Sequence, residues 1–257
     1  MSEMHKYLIY HIYADGDQDM LAFHLAHLKM YWNGWERRII KITYDDPAKV
    51  SLLRPYLDIE NPETKTSYEI YSNNPGEGES VGLLEALDSV RNYREDQEFR
   101  EDENIGYKKP CKAALMIAST NGVSKSGDQE REKVNIRAWS RALYHTTLSN
   151  TALLELKKAF KEGKKCFGSF KRDVPSEKGG PRPCPWHYSG LFYWLDVDTL
   201  FSRNWKPVEG TRHAIEMYPG YIFDSSEAVD YFNLIGPTDY VDTYHNRIMT
   251  EHWIEKV

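Results

Sequence analysis

Residues 7–44 read YLIYHIYADGDQDMLAFHLAHLKMYWNGWERRIIKITY, and this stretch decides the fold class. Tyr7–Tyr13 is a β-branched and aromatic run of strand length, and the turn residues Asp15–Asp17 end it. Apolar residues then recur at helical spacing over Met20–Tyr31, and Arg38–Tyr44 has the composition of a second strand. A strand, a helix and a second strand in this order predict two parallel strands joined by a crossover helix.

The same alternation continues through the next 75 residues. A helical segment over residues 45–57, a strand at Tyr68–Tyr71 and a helix over Ser80–Tyr93 precede Ala113–Ser119, the most apolar short run of the chain. We expect that run, AALMIAS, to be a central strand that is buried on both faces. The pattern predicts an α/β fold with a mostly parallel central sheet flanked by helices.

The pattern is less regular beyond the central strand, and no repeat or linker divides the chain, so we expect one domain over residues 1–257. The acid-rich residues 91–104 indicate a solvated helix end and loop. The other expected elements are one long helix over Val134–Lys161, strands at Lys165–Phe170 and Gly190–Leu195, a short helix at Arg212–Met217 and a partly helical tail over residues 227–257 that wraps onto the sheet.

The overall composition is that of a soluble globular protein. The net charge is −6 and 28% of the residues are charged, which argues against disorder and against a strongly cationic nucleic-acid-binding surface. The longest apolar run is too short to span a bilayer and the N-terminus lacks a signal-peptide pattern, so we expect a cytoplasmic protein without a transmembrane segment. Three cysteines without CxxC spacing predict neither a disulfide framework nor a zinc site.

Aromatic residues are abundant, with 18 Tyr, 7 Trp and 9 Phe in 257 residues. Tyr and Trp combine a large apolar surface with a polar group, which suits contacts with sugars or bases. An aromatic-rich core explains the same excess equally well.

In an open α/β sheet, ligands bind at the carboxyl ends of the strands, so polar side chains there are candidates for ligand contacts. Each such residue is also of a type that ordinary turns use, so the residue type alone does not separate the two roles. The candidates for nucleotide or sugar contacts are His11, Tyr13, Asn73, Asn74, Thr120, Asn121 and Gly122.

The proline-rich loop 173–185 ends in Trp186, His187 and Tyr188, which are rings that stack on sugars or that simply cap the core. The stretch Lys157–Arg182 leads into this loop with nine basic and three acidic residues, a net charge of +6. Such a stretch holds phosphates or forms a solvated helix face.

Familiar nucleotide and hydrolase signatures are missing, because the chain has no GxxxxGK[ST], GxGxxG, GxSxG or HExxH motif. His24 and His27 lie three residues apart on the first predicted helix, a spacing that is also found in metal-binding pairs. Their apolar neighbours favour a position at the edge of the core.

Five segments in this order resemble a family of glycosyltransferase-like proteins: YHIY (10–13), YSNN (71–74), TNGVSK (120–125), WHYSGLFYWL (186–195) and IEMYPGYIF (215–223). Members of that family have a YHIY-type start and blocks of the HTKGVS, HFSGNFWW and AEFWIG types. The resemblance covers about residues 7–223.

The resemblance implies a single-domain, Rossmann-like GT-A fold with a nucleotide-sugar half over about residues 1–125 and an acceptor half over about 126–257. It implies transfer of a sugar from a nucleotide-diphosphate sugar to an acceptor hydroxyl, on a glycan or on a modified base in DNA. The alternative is a non-catalytic carbohydrate- or nucleotide-binding protein that kept this fold.

Carried over by position, the resemblance implies catalytic roles for Glu216 and His187 and donor contacts for Ser189 and Gly190. It implies acceptor contacts for Trp186, Tyr188 and Arg212. Ser119-Thr120-Asn121 departs from the family's His-Thr-Lys, and no Asp-x-Asp pair stands after the central strand, where such a pair usually holds a divalent cation. Dependence on Mn²⁺ or Mg²⁺ and independence of metal both stay open, and the oligomeric state is not predicted.

Overall fold

A computed structural model of the chain describes residues 4–57, 65–72, 78–103, 112–120, 130–173, 183–206 and 214–232. All the strands and helices of this description lie within these ranges. In chain order the strands are β1 (His5–Tyr13), β2 (Arg37–Tyr44), β3 (Thr66–Ser72), β4 (Ala113–Ser119), β5 (Cys166–Gly168), β6 (Lys171–Arg172), β7 (His187–Tyr188), β8 (Tyr193–Asp196) and β9 (Ala228–Asp230).

Seven of these strands form one sheet in the order β3-β2-β1-β4-β8-β5-β9, and β6 pairs with β7 in a separate two-stranded ribbon. Within the large sheet, β8 is antiparallel to both of its neighbours and every other pair is parallel. The structure therefore confirms an α/β fold with a mostly parallel central sheet. The last described strand, β9, continues this sheet beyond β5.

Helices cover both faces of the sheet because successive strand residues point to opposite sides. The helices are α1 (Gln18–Met30), α2 (Pro47–Leu53), α3 (Leu83–Glu103), α4 (Glu130–Leu148), α5 (Asn150–Lys161), α6 (Val197–Ser202) and α7 (Ala214–Ile222), with 3-10 turns at Arg54–Tyr56, Gly78–Ser80 and Ser225–Glu227. Leu8, Tyr10 and Ile12 of β1 face one core, which is shared with α1, α4 and α5. Tyr7 and Ile9 face a second core, which is shared with α3, α6 and α7.

Three sequence predictions of element boundaries were wrong. The predicted helix Val134–Lys161 is two helices, because Ser149 leaves helical geometry and its hydroxyl caps α5 by accepting from the Ala152 N–H. Helix α3 continues through the acid-rich segment to Glu103. The strand predicted from Gly190 begins only at Tyr193, because Gly190 and Leu191 both have positive φ angles and turn the chain.

A close backbone approach fixes the position of α7. Gly220 lies in this helix against the segment Cys184–Trp186, and a Cβ atom at position 220 would stand 1.9 Å from the Trp186 carbonyl oxygen. The Cys184 thiol also donates to the Trp186 and Met217 carbonyls, at 2.8 and 3.4 Å. Only glycine permits this approach, so Gly220 determines where the last turn of α7 lies.

We expect Gly220→Ala to destabilise the protein by at least about 2 kcal/mol, because the methyl group overlaps a backbone carbonyl that has little room to move. In an open helix position the same change would stabilise the protein slightly. Urea unfolding measures the effect. The control is Gly163→Ala, whose Cβ meets no atom within 4 Å and whose φ of +95° limits the cost to roughly 1–2 kcal/mol. Equal stability of the Gly220 variant and the native protein would contradict the packing.

Candidate functional site

The candidate site lies at the carboxyl ends of β1 and β4. The chain leaves β1 toward β2 on one side and later places β4 on its other side, which makes this point a topological switch where open α/β sheets bind ligands. The structure brings three predicted residues together there. The Thr120 N–H donates to the His11 carbonyl at 3.0 Å, and the Tyr13 N–H donates to Thr120 Oγ1 at 3.3 Å.

His11 occupies the middle of a polar row that crosses three strands. It lies opposite Lys41 of β2 and Ser119 of β4 in the sheet register, so the three side chains share one face. Its Nε2 is 2.8 Å from Thr43 Oγ1, while its buried Nδ1 has no partner among the residues that the structure describes. Burial chiefly, and the Lys41 charge in addition, hold the pKa of His11 well below its usual value. The imidazole is therefore neutral near pH 7.

Lys41 is completely buried and ties a covering segment to this row. Its Nζ donates to the Glu79 carbonyl at 2.8 Å and to the Val81 carbonyl at 2.6 Å. The Ser119 hydroxyl donates to Glu79 Oε1 at 3.2 Å. Burial lowers the pKa of Lys41 to about 8, although the nearby carboxylates Glu69, Glu79 and Glu85 act in the opposite direction. The sequence analysis missed Lys41, whose signal was a cation inside the apolar strand RIIKITY.

Acidic residues join the loop after β1 to the loop after β2. The Asp15 carboxylate accepts from the N–H groups of Asp45 and Asp46, at 2.6 and 3.2 Å. The Tyr13 hydroxyl donates to the Asp45 carboxylate. The Tyr13 ring is half-buried and packs against the core that contains Tyr10 and Ile12.

A second group of predicted residues lies at the turn between β7 and β8. The Gly190 N–H donates to Glu216 Oε1 at 3.3 Å, so the predicted donor contact and the predicted base meet directly. Glycine is required at position 190, because φ is +91° and a Cβ there would lie 2.5 Å from the Trp139 ring.

Helix α7, which carries Glu216, packs against the 3-10 turn Gly78–Ser80, so the two groups of residues adjoin. Burial is the main cause of the raised pKa of the Tyr193 phenol, and Glu216 and Glu79 are among the weaker charges that raise it further. Both carboxylates therefore lie near the same hydroxyl.

His187 lies on the two-stranded ribbon at the same edge of the sheet, opposite Arg172. The residue is 6% exposed, and its Nδ1 is buried without a partner in the described part of the chain. Burial, helped by the Arg172 charge, lowers the pKa of His187 to about 4. Ser189 follows it, and the Ser189 N–H donates to the Phe170 carbonyl at 3.0 Å, which fixes the ribbon over the end of β5.

The structure does not support the acceptor-binding role predicted for Trp186 and Tyr188. Their side chains are 1% and 0% exposed. Trp186 Nε1 donates to the Phe223 carbonyl at 2.9 Å, and the Tyr188 hydroxyl donates to the Val229 carbonyl at 2.7 Å. Both rings are core residues whose polar atoms are already bound to backbone, which is the alternative that the sequence left open.

The first part of the basic stretch lies on the wrong edge of the sheet to hold a phosphate at this site. Helix α5 ends where β5 begins, and Lys112, just before β4, donates to the Phe160 carbonyl at 2.9 Å. Lys157 and Lys158 therefore lie toward the amino-terminal ends of β4 and β5. Five predicted site residues lie outside the described part of the chain: Asn73, Asn74, Asn121, Gly122 and Arg212.

Among the residues that the structure describes, no three His, Cys, Asp or Glu side chains are grouped as metal ligands would be. His24 and His27 confirm the core-edge prediction: His24 Nδ1 lies 3.0 Å from the Tyr144 hydroxyl, and His27 stacks on the Tyr144 ring. At the site itself the described donors are neutral hydroxyls, two histidines and the carboxylates Glu79 and Glu216. This set does not resemble the charged oxygen cage of a hard cation.

Across the described ranges, no helix combines the length and the apolar sequence needed to cross a bilayer. No protein-family model matches the chain, and no curated protein is significantly similar to it.

The lowered pKa of His187 predicts a loss of stability in acid. The folded protein holds this group near 4 and the unfolded chain near 6.5, so the unfolded chain binds more protons between these values. The contribution of His187 to the free energy of unfolding is therefore fully present above pH 6.5 and is lost as the pH falls toward 4. His187→Asn should reduce the loss between pH 7 and pH 5 by on the order of 1 kcal/mol, measured by urea unfolding. Identical pH slopes for the two proteins would contradict the prediction.

Proposed function

We propose that this protein is a glycosyltransferase that moves a sugar from a nucleotide-diphosphate sugar to an acceptor hydroxyl. The observation that carries the proposal is the contact between Glu216 and the Gly190 N–H, beside the switch point of an α/β sheet. This contact places a carboxylate at the edge where such sheets bind nucleotides. The other side chains at that edge suit the parts of a nucleotide sugar.

The nucleoside lies at the ends of β1 and β4. Neutral His11 offers its Nδ1, which has no partner among the described residues, to a base or ribose, and the half-buried Tyr13 follows it on the same strand. The Thr120 hydroxyl, which already accepts from the Tyr13 N–H, keeps its own proton for a further acceptor. Uncharged groups of this kind recognise a nucleoside better than they recognise its phosphates.

The transferred sugar lies toward Gly190 and Glu216. In an inverting reaction, Glu216 takes the proton of the acceptor hydroxyl as its oxygen bonds to the anomeric carbon. The bond from that carbon to the diphosphate breaks, and its electron pair leaves on the diphosphate oxygen. A retaining reaction does not need this base.

A GT-A domain belongs to the same proposal. Four parallel strands, β3-β2-β1-β4, supply a nucleotide-binding half, and antiparallel β8 with β5 and β9 extends the sheet into a second half. The second half carries Glu216 and the ribbon with His187. In the proposed division, this is the half that binds the acceptor. The charge of the departing diphosphate is met by Mn²⁺ or Mg²⁺ or by basic side chains alone, and the described donor set favours the latter.

The acceptor is a glycan or a modified base in DNA. A DNA acceptor requires contacts with phosphates, and each such contact makes binding weaker as salt rises. We expect transfer to DNA, if DNA is the acceptor, to fall by a factor of about ten or more between low and moderate salt. Transfer to a neutral glycan stays almost unchanged over that range.

A second function deserves the same tests: a carbohydrate- or nucleotide-binding protein that does not catalyse transfer. The observation in its favour is the segment Ser119-Thr120-Asn121, which has no carboxylate where GT-A enzymes usually bind the metal of the diphosphate. Binding without turnover of any donor would support it.

A panel of UDP-, GDP- and TDP-sugars separates these functions. We expect at least one donor to raise the thermal midpoint and to be hydrolysed slowly, because water replaces the acceptor at a site that activates hydroxyls. Each donor is measured with and without Mn²⁺. If no donor is bound or hydrolysed under either condition, the glycosyltransferase proposal fails.

Glu216→Gln should lower transfer by about 10²- to 10⁴-fold and leave the Kd of the donor almost unchanged, because it removes the proton acceptor while keeping an oxygen for the Gly190 N–H. The matched control is Glu162→Gln at the exposed end of α5, which should keep native activity. Native turnover in the Glu216 variant would exclude this residue as the base.

A further inference from the structure

The ribbon formed by β6 and β7 presents two basic side chains on one face. Arg172 lies directly opposite His187, whereas Lys171 lies opposite Tyr188. Because neighbouring strand residues point to opposite sides, Arg172 and His187 share a face and Lys171 points away from it. The two cations of β6 therefore have different surroundings.

Lys171 is fully engaged in holding the structure together. Its Nζ bonds to Asp173 at 2.9 Å and to the Ser225 hydroxyl at 2.7 Å, and it lies 5.6 Å from the centre of the Trp186 ring. The Arg172 guanidinium is half-buried, and within the described residues it has no hydrogen bond or ion pair. A guanidinium in that position is available for an anion.

His187 is the second observation that indicates a ligand. The residue is 94% buried, yet its Nδ1 has no hydrogen-bond partner within the described ranges. A buried polar atom without a partner costs on the order of 1–3 kcal/mol, which a bound ligand would relieve. In the neutral ring, Nδ1 can carry the proton and donate it to an oxygen atom.

The pair lies at the same edge of the sheet as the proposed sugar site. The ribbon follows the carboxyl end of β5, and the Ser189 N–H anchors it to the Phe170 carbonyl. Gly190 is the next residue, and it binds Glu216. A molecule that reaches both Glu216 and the ribbon would extend from the acceptor base to a positive group.

We propose that Arg172 and His187 form a phosphate subsite that binds the diphosphate of the sugar donor. The subsite rests on the proposed function and extends it. Arg172 presents a planar fork that matches two phosphate oxygens, and His187 donates to a third. When the glycosidic bond breaks, the electron pair passes to the diphosphate oxygen, and the Arg172 charge stabilises the developing anion.

The surroundings favour a small diphosphate over a nucleic-acid backbone. A nucleic-acid strand is held by a groove of several cations that follows its phosphates. Here Lys171 is occupied by Asp173, and Lys157 lies toward the opposite edge of the sheet. The Arg172 guanidinium beside the buried His187 imidazole suits one compact anionic group.

Titration of the full chain with inorganic pyrophosphate, followed by calorimetry, tests the subsite directly. We expect native protein to bind pyrophosphate and UDP, and Arg172→Gln to weaken both at least about tenfold. Arg172→Lys keeps the charge but loses the fork and should have an intermediate affinity. Lys157→Gln, which removes one charge from the same basic stretch, should bind as the native protein does.

Three results would overturn the subsite: no pyrophosphate binding by the native protein, equal weakening by Arg172→Gln and Lys157→Gln, or single-stranded DNA competing better than pyrophosphate at equal phosphate concentration. Thermal unfolding of each variant shows whether it is folded. We expect the Arg172 variants to fold, because Arg172 makes no hydrogen bond or ion pair among the described residues.

The outcomes also separate the subsite from the proposed function. Pyrophosphate binding that depends on Arg172, without turnover of any sugar donor, keeps the subsite and rejects the transferase. Donor hydrolysis at the native rate and KM by Arg172→Gln rejects the subsite and keeps the transferase.

Discussion

The buried ammonium of Lys41 is the interaction on which the candidate site depends. Taking a cation out of water costs several kcal/mol unless other groups replace its hydration. The carbonyls of Glu79 and Val81 accept hydrogen bonds from Lys41 and replace part of its hydration. Because these carbonyls belong to the segment after β3, that segment covers the polar row of the sheet. The same segment carries the carboxylate that binds Ser119 and the 3-10 turn on which α7 packs. One buried charge thus links β2, β4 and the helix that presents Glu216.

The sequence was sufficient for the elements whose pattern is local. Strand β4 was predicted with its observed bounds, because seven consecutive small and apolar residues leave it no exposed face. The break at Ser149 was missed, because the apolar spacing on both sides fits one helix and the capping bond appears only in three dimensions. The turn at Gly190 and Leu191 was missed for a related reason: the segment GLFYWL has strand composition, but packing against Trp139 sets its backbone angles.

The candidate site was predicted only in part, because residue type does not reveal the partner of a polar atom. Trp186 and His187 are neighbours in a loop that suits sugar binding, but their polar atoms differ in the structure. The Trp186 indole N–H donates to a backbone carbonyl, whereas the buried His187 Nδ1 has no partner among the described residues. The contact between Gly190 and Glu216 joins positions 26 residues apart and depends on the approach of α7 that Gly220 permits.

The charges at this edge of the sheet also limit how a nucleotide sugar can lie. Lys41 is enclosed by carbonyls, and His11 is kept neutral by burial, so the end of β1 offers little attraction for a phosphate. Arg172, on the ribbon beside His187, has no hydrogen bond or ion pair among the described residues. In the proposed transferase, a donor whose nucleoside contacts His11 would extend its diphosphate toward the ribbon. Its sugar would then lie near Glu216, so the proposed subsite and the proposed base are consistent with one orientation of the donor.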